Sequence, residues 1–230
     1  MAVYVLVPGG SSGGWYLKEV AALLQAQGHE VYRCTLTGLG ERNHLVSREV
    51  NLETHIQDVV NVIRYEELNN VILMGHSYAG MVITGVIERL PERVAHVVYV
   101  DAMVPYDGES AADVFGPEGW SQMERSARAN DPDWLFPVDS RSGSGDWRRS
   151  PHPVACFTQP LAVKGAAAAA LPRTYIYCAA DKQPGGFYAG LTISAERARA
   201  AGWRFIEVDA THSILRTHPQ EVAKVLLALA

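Results

Sequence analysis

At 230 residues the chain has room for one large α/β domain, and its composition, 48% hydrophobic and 20% charged, is that of a soluble globular chain with a sizeable core. A formal net charge of -5 and a pI near 5.9 offer no basic field to phosphate backbones or anionic lipid, so nucleic acid and membrane are poor partners. Three cysteines, Cys34, Cys156 and Cys178, form no CxxC or Cys/His ligand spacing, which disfavours structural zinc; Cys34 and Cys178, in or at the ends of apolar runs, read as small buried hydrophobes.

The chain opens Met1-Ala2-Val3-Tyr4-Val5-Leu6-Val7-Pro8, with no basic segment and with Gly9-Gly10 following at once. It reads as a buried strand rather than a signal peptide or membrane span, and the expected location is cytoplasmic. A helix is expected over 15–27, a strand over 30–35 and a helix over 52–67. An apolar run over 70–74 leads into Gly75-His76-Ser77-Tyr78-Ala79-Gly80 and then an amphipathic stretch over 81–90. This is a strand, a sharp turn and a helix, with a serine at the apex.

Such a turn lifts a serine clear of its backbone only if its neighbours are small, and Gly75 and Ala79 meet that demand. Ala79 stands where the usual pattern has glycine, a departure of one methyl. The helix that follows turns its unpaired N–H groups towards the place where negative charge would develop. A strand over 94–100 ends at Asp101.

From 102 to 171 the alternation breaks into a segment rich in Pro, Gly, Ser and scattered aromatics, including Trp120, Trp134, Phe136 and Trp147. It reads as an inserted lid between core parts 1–101 and 172–230 of a single domain. Its aromatics pack either on a pocket mouth or on one another, and Trp134 and Phe136 are candidate substrate contacts. The stretch 141–146 and the alanine run 166–170 are its simplest parts. Strands over 173–178 and 203–208 and helices over 194–201 and 219–229 complete the chain. Six short β-rich runs alternating with helices predict a mostly parallel sheet with helices on both faces.

A serine hydroxyl needs a base, and histidine suits the task because it titrates near neutrality. Of eight histidines, His212 is best placed, just beyond the last strand, where reactive groups of an open α/β sheet collect. His76 is expected to point the other way round the turn. His29, His55 and His96 read as structural, His44 and His152 as loop residues open to substrate contact, and His218 as a helix-cap residue. The base in turn needs a carboxylate to hold its tautomer. Asp101 and Asp181 both follow strands and both fit the order Ser, Asp, His. An oxyanion hole would combine the N–H of Tyr78 with one from the Pro8-Gly9-Gly10 loop, for which Gly10 is the candidate.

The segments Val5-Leu6-Val7-Pro8-Gly9-Gly10 through Trp15, Thr37-Gly38-Leu39-Gly40-Glu41-Arg42, Gly75 through Met81, and Thr211-His212 together resemble α/β-hydrolases of the plant methylesterase and hydroxynitrile lyase group, especially its bacterial esterase-like relatives. The resemblance covers the core nearly end to end and the lid far less. It implies an α/β-hydrolase fold and a Ser-His-Asp hydrolase of small esters, with no cofactor and no metal. Pro8 and Ser12 stand where the group commonly has histidines. Ser213 stands where the lyases carry a lysine, which removes a cation suited to departing cyanide. Plant members favour Asp181 as the acid, within Cys178-Ala-Ala-Asp181-Lys182. Bacterial relatives favour Asp101, within Tyr99-Val100-Asp101-Ala102, and Phe187 with Gly202-Trp203-Arg204 also looks bacterial, so Asp101 is preferred. The expected reaction is cleavage of a small aryl or apolar carboxylic ester, with amides and carbamates open to the same apparatus. A carbon–carbon lyase and a non-catalytic ligand-binding homologue are the alternatives.

Overall fold

The computed structural model describes residues 1–128, 134–138, 146–182 and 188–230. Its strands are β1 (Val3–Val7), β2 (Glu30–Arg33), β3 (Val71–His76), β4 (Val94–Val100), β5 (Leu135–Phe136), β6 (His152–Pro153), β7 (Arg173–Cys178) and β8 (Arg204–Val208). Six of them form one parallel sheet in the order β2-β1-β3-β4-β7-β8, while β5 and β6 pair antiparallel. The helices are α1 (Lys18–Gln25), α2 (Leu52–Tyr65), α3 (Ala79–Arg89), α4 (Ala111–Arg128), α5 (Ala155–Thr158), α6 (Ala166–Ala169), α7 (Ala189–Ala200), α8 (Ile214–Thr217) and α9 (Pro219–Leu227). This is the α/β-hydrolase architecture, and the predicted sheet strands coincide with the observed ones to within a residue or two.

The middle strands are mostly apolar because both sheet faces are covered. Side chains alternate along each strand, so Tyr4 and Leu6 of β1, Ile72 and Met74 of β3 and Val98 and Val100 of β4 join one core, which α1 and α9 cover. Val5, Val7, Leu73 and Val97 join the other core, against α2 and α3. Asn51 starts α2 with a reciprocal cap: its side chain accepts from Thr54 N–H at 3.1 Å and its own N–H donates to Thr54 Oγ1 at 3.3 Å.

Between β4 and β7 the described residues Phe115, Phe136, His152 and Phe157 line a cavity together with Ser77 and His212, at the carboxyl ends of the strands. Helix α4 breaks at Gly116, whose φ of 72° precedes Pro117, and it packs against α5 and α7. Phe115, Met123, Phe136, Cys156 and Phe157 of this segment are buried in the α2/α3 core. Trp120 meets Phe136 edge-on at 5.7 Å, while Trp147 is exposed. The alanine run forms α6, with the N–H groups of Lys164 and Gly165 held by Glu88 Oε2 at 3.0 and 2.8 Å. Residues 141–145 of the other simple stretch, and Phe187, lie outside the described residues.

Candidate active site

Ser77 sits between β3 and α3 with φ at 58°, a left-handed conformation that costs a non-glycine residue on the order of 1–2 kcal/mol. The surroundings hold it there. Ser77 N–H donates to Val100 O at 3.2 Å, and Ser77 O accepts from Met103 N–H and Gly80 N–H, each at 3.0 Å. A Cβ on Gly75 would come within 2.9 Å of Ala79 O, and one on Gly9 within 3.0 Å of Ser77 Cβ. Glycine at these two positions lets the turn close and lets the β1 loop lie against the serine.

The loop after β8 brings His212 over this turn. Its Nε2 lies 2.9 Å from Ser77 Oγ, and its Nδ1 lies 2.6 Å from Asp101 Oδ2. An ionised carboxylate only accepts, so Nδ1 carries the proton and Nε2 accepts from the serine hydroxyl. Asp101, at the end of β4, is fully buried and also has a left-handed φ, 43°. Asp181 does not meet the imidazole at these atoms; its Oδ2 accepts His212 N–H at 2.7 Å.

Lys182 joins the two carboxylates, with Nζ 2.8 Å from Asp101 Oδ2 and 2.9 Å from Asp181 Oδ1. Its side chain is 5% exposed. Burial works against an ionised Asp101, but the hydrogen bonds and charges of His212 and Lys182 outweigh it and hold the carboxyl below its ordinary range. Burial likewise opposes the Lys182 ammonium, and the two carboxylates outweigh it, raising that group above its usual value.

The expectation that His76 points away is corrected. His76 lies on the same side of β3 as Met74, and its ring stacks on His212 at 4.5 Å and on Tyr16 at 5.9 Å. Its Nε2–H donates to His212 O at 2.9 Å, and burial brings its pKa down to about 3. Tyr188 covers the other side of His212 at 4.5 Å. The strand's twofold alternation carries the signal for His76, whereas no local pattern marks Tyr188.

The serine opens into a cavity of about 690 Å³ lined by Gly10, Ser11, Tyr78, Phe115, Phe136, Arg149, His152, Phe157 and Ser213 among others. Among the described residues neither Gly10 N–H nor Tyr78 N–H is engaged in a turn or side-chain hydrogen bond. Phe136 is a lining residue, but Trp134 is not. Arg48 stands over the Trp134 ring at 5.1 Å, and the Trp134 carbonyl is tied to Val154 N–H at 2.6 Å, which keeps the indole to the side of the cavity. His152 lines the cavity, accepting Ser11 N–H on Nδ1 at 3.3 Å. His44 and His218 are not among the lining residues, while His29 and His96 bond to Ala2 N–H and Thr174 Oγ1.

The three cysteines are buried and free. His55, His152 and Cys156 bring ligand-type atoms within 4.8 Å of one another, a grouping drawn from α2 and the inserted segment that no sequence spacing reveals. Hydrogen bonds already occupy its ligand-type atoms except His152 Nε2. His55 Nε2–H donates to Thr37 O at 2.9 Å, so Nδ1 accepts from Tyr78 O–H at 3.0 Å; the nitrogen 3.9 Å from the Cys156 sulfur is therefore protonated. Ser11 N–H donates to His152 Nδ1, where a metal-bound imidazole would carry its own N–H outward. The trio is a hydrogen-bonded core cluster behind Tyr78 rather than a ready ligand set.

The sequence matches the alpha/beta hydrolase family over residues 4–225. A carbendazim hydrolyzing esterase of Nocardioides sp. (strain SG-4G) is 36% identical, with both chains covered in full. Putative methylesterase 11 of Arabidopsis thaliana, a chloroplastic protein, is 28% identical over 127 residues, 54% of this chain and 33% of that one. A solved extracellular alpha/beta-hydrolase from a Paenibacillus species, described as sharing structural and functional homology with tobacco salicylic acid binding protein 2, superposes with a TM-score of 0.82 at 25% identity, covering 100% and 99% of the two chains. The parallel sheet, the serine turn at its carboxyl edge and these likenesses agree: the chain belongs to the alpha/beta hydrolase family.

Proposed function

We propose that the protein is a serine esterase that cleaves small carboxylic esters through an acyl-enzyme. The observation that carries this reading is the continuous line from Asp101 through His212 to Ser77, at 2.6 and 2.9 Å. Ser77 Oγ attacks the ester carbonyl as its proton passes to His212 Nε2. The imidazolium so formed faces the ionised Asp101, and the N–H groups of Gly10 and Tyr78 stabilise the oxyanion at the start of α3. His212 returns the proton to the departing alcohol; a water activated by the same base then releases the acid.

The aromatic lining supports an aryl or apolar group on the substrate, held beneath the inserted segment acting as a lid. The end-to-end likeness to an esterase named for carbendazim supports testing an aryl methyl carbamate beside simple esters. Ser213 beside His212 leaves the lyase lysine position without a cation, and Lys182 is committed to two carboxylates. That favours hydrolysis over cyanohydrin cleavage.

A fluorophosphonate probe is expected to label Ser77, and folded Ser77→Ala to lose on the order of 10⁶ in kcat on 4-nitrophenyl esters. Ordinary esterase activity in a folded Ser77→Ala protein overturns the reading. Cyanide release from a cyanohydrin without ester turnover points to the lyase, and binding with neither labelling nor turnover points to a receptor.

A further inference from the structure

Arg148 and Arg149 are adjacent but differently satisfied. Arg148 reaches Asp146 with Nε at 2.8 Å and Nη2 at 2.6 Å, and its guanidinium lies 4.0 Å over Trp15. Arg216 shares that carboxylate at 3.1 Å. Arg149 lines the cavity, and among the described residues no carboxylate pairs with it. Its guanidinium stands 5.4 Å from the Tyr16 ring, and its Nε is buried without a hydrogen-bond partner.

The backbone beside Arg149 is fixed to the same loop that carries Gly10. Ser150 N–H donates to Ser11 O at 3.1 Å, and Ser150 Oγ accepts Gly40 N–H at 2.9 Å. Tyr16, which meets the guanidinium, stacks on His76, and His76 stacks on His212. The cation is therefore on the serine side of the cavity, two rings from the base. Among the described lining residues the other charged side chain, histidines aside, is Asp181, whose oxygens already accept from Lys182 and His212 N–H. Among the described residues the cavity thus presents one guanidinium without a counter-charge, in a lining that also holds Phe115, Phe136 and Phe157. A buried donor without an acceptor is costly, and a planar guanidinium matches the geometry of a carboxylate or similarly compact oxyanion.

We propose that Arg149 is an anion-recognition residue, and that the preferred substrates are esters bearing a carboxylate or similarly compact oxyanion away from the scissile carbonyl. This rests on the esterase reading above. Ser77 and His212 act on the ester while Arg149 holds the anionic end, so the charge selects the substrate without entering the reaction.

The test compares substrates in which carboxylate is replaced by methyl ketone: 4-acetoxybenzoate against 4-acetoxyacetophenone, and the 4-nitrophenyl half-ester of adipate against 4-nitrophenyl 6-oxoheptanoate. The quantity read is the anionic-to-neutral ratio of kcat/KM, which cancels any loss common to both members of a pair. For at least one pair this ratio is expected to fall by about tenfold or more in Arg149→Met, with Arg149→Lys intermediate and high salt lowering the wild-type ratio. Ratios unchanged within about twofold for both pairs overturn the proposal and leave Arg149 as a structural partner of Tyr16. Calorimetry separates the two readings. In a Ser77→Ala background, Arg149→Met is expected to weaken 4-acetoxybenzoate binding by a similar factor, an outcome that does not depend on turnover. Binding that is equal in the two proteins counts against Arg149, whereas absence of turnover and labelling in the wild type counts against the esterase reading alone.

Discussion

The two walls of the cavity hold their polar groups differently. On the wall made by the sheet edge, the base is fixed from several directions: Asp101 at Nδ1, Asp181 at its N–H, His76 at its carbonyl and Lys182 behind both acids. His76 Nδ1, facing Gly9, is the exception without a partner. On the wall made by the inserted segment, Arg149 Nε and His152 Nε2 are buried with no hydrogen-bond partner, amid aromatic side chains. The first wall over-determines the atoms to which the proposed mechanism assigns the chemistry, where an error of about 1 Å would be costly. The second leaves hydrogen-bonding capacity unused, which is the basis for proposing substrate discrimination there.

Substituting the two acids breaks this comparison most sharply. Asp101→Asn is expected to lose roughly 10⁴ in kcat, because the amide can present its N–H to Nδ1 and favour the wrong tautomer. Asp181→Asn keeps a carbonyl acceptor for His212 N–H and is expected to lose far less, about tenfold to a hundredfold. Steady-state kinetics at matched foldedness checks both. A reversed order would make Asp181 the acid, and two mild effects would remove both from the triad.

Lys182 gives the next effect, in stability as well as rate. Lys182→Met leaves Asp101 buried with one cation fewer, and breaking a buried pair from one side typically costs about 3–5 kcal/mol. The expected result is a lower urea midpoint, partly restored when Asp181→Asn is added and one of the two negative charges is removed. A midpoint unchanged in Lys182→Met would show that the fixed wall does not depend on its cation.

Much of the fixed wall was legible in the sequence and much of the other was not. Short apolar runs alternating with helical stretches and the small residues flanking Ser77 announced the sheet and the turn, because burial of a strand on both faces and local sterics are written in a few residues. Asp101 and Asp181 could not be separated by chain order, since β4 and β7 are neighbours in the sheet and both end beneath His212. Lys182 could be seen beside Asp181, but its contact with Asp101 spans 81 residues. His76 lies two residues after Met74 in β3, so strand alternation puts it on the α1/α9 side, a direction that the residues of the turn alone do not specify. The inserted segment carries no such period. Whether Trp134 or Phe136 faces the cavity depends on Arg48 and on the pairing of β5 with β6, neither of which local sequence specifies.

Acid titration probes both walls at once through histidines kept neutral by burial. Burial brings His55 down to about 4 and His76 to about 3, and pushes His152 well below the ordinary 6.5. Between 6.5 and those values the unfolded chain binds protons that the folded one does not, so stability is fully present above 6.5 and falls as the pH drops. At pH 5.5 each of these groups withdraws at most about 1.4 kcal/mol, giving an upper bound of about 4 kcal/mol for the three. Urea unfolding at pH 7.5 and 5.5 measures the drop. His152→Phe is expected to remove about a third of it, on the wall where the imidazole has one hydrogen bond to lose, whereas His76→Phe should remove a similar share while also lowering kcat, because it deletes the bond that orients His212. Equal kinetic effects from the two substitutions would erase the distinction between a wall that positions the base and a wall that receives the substrate.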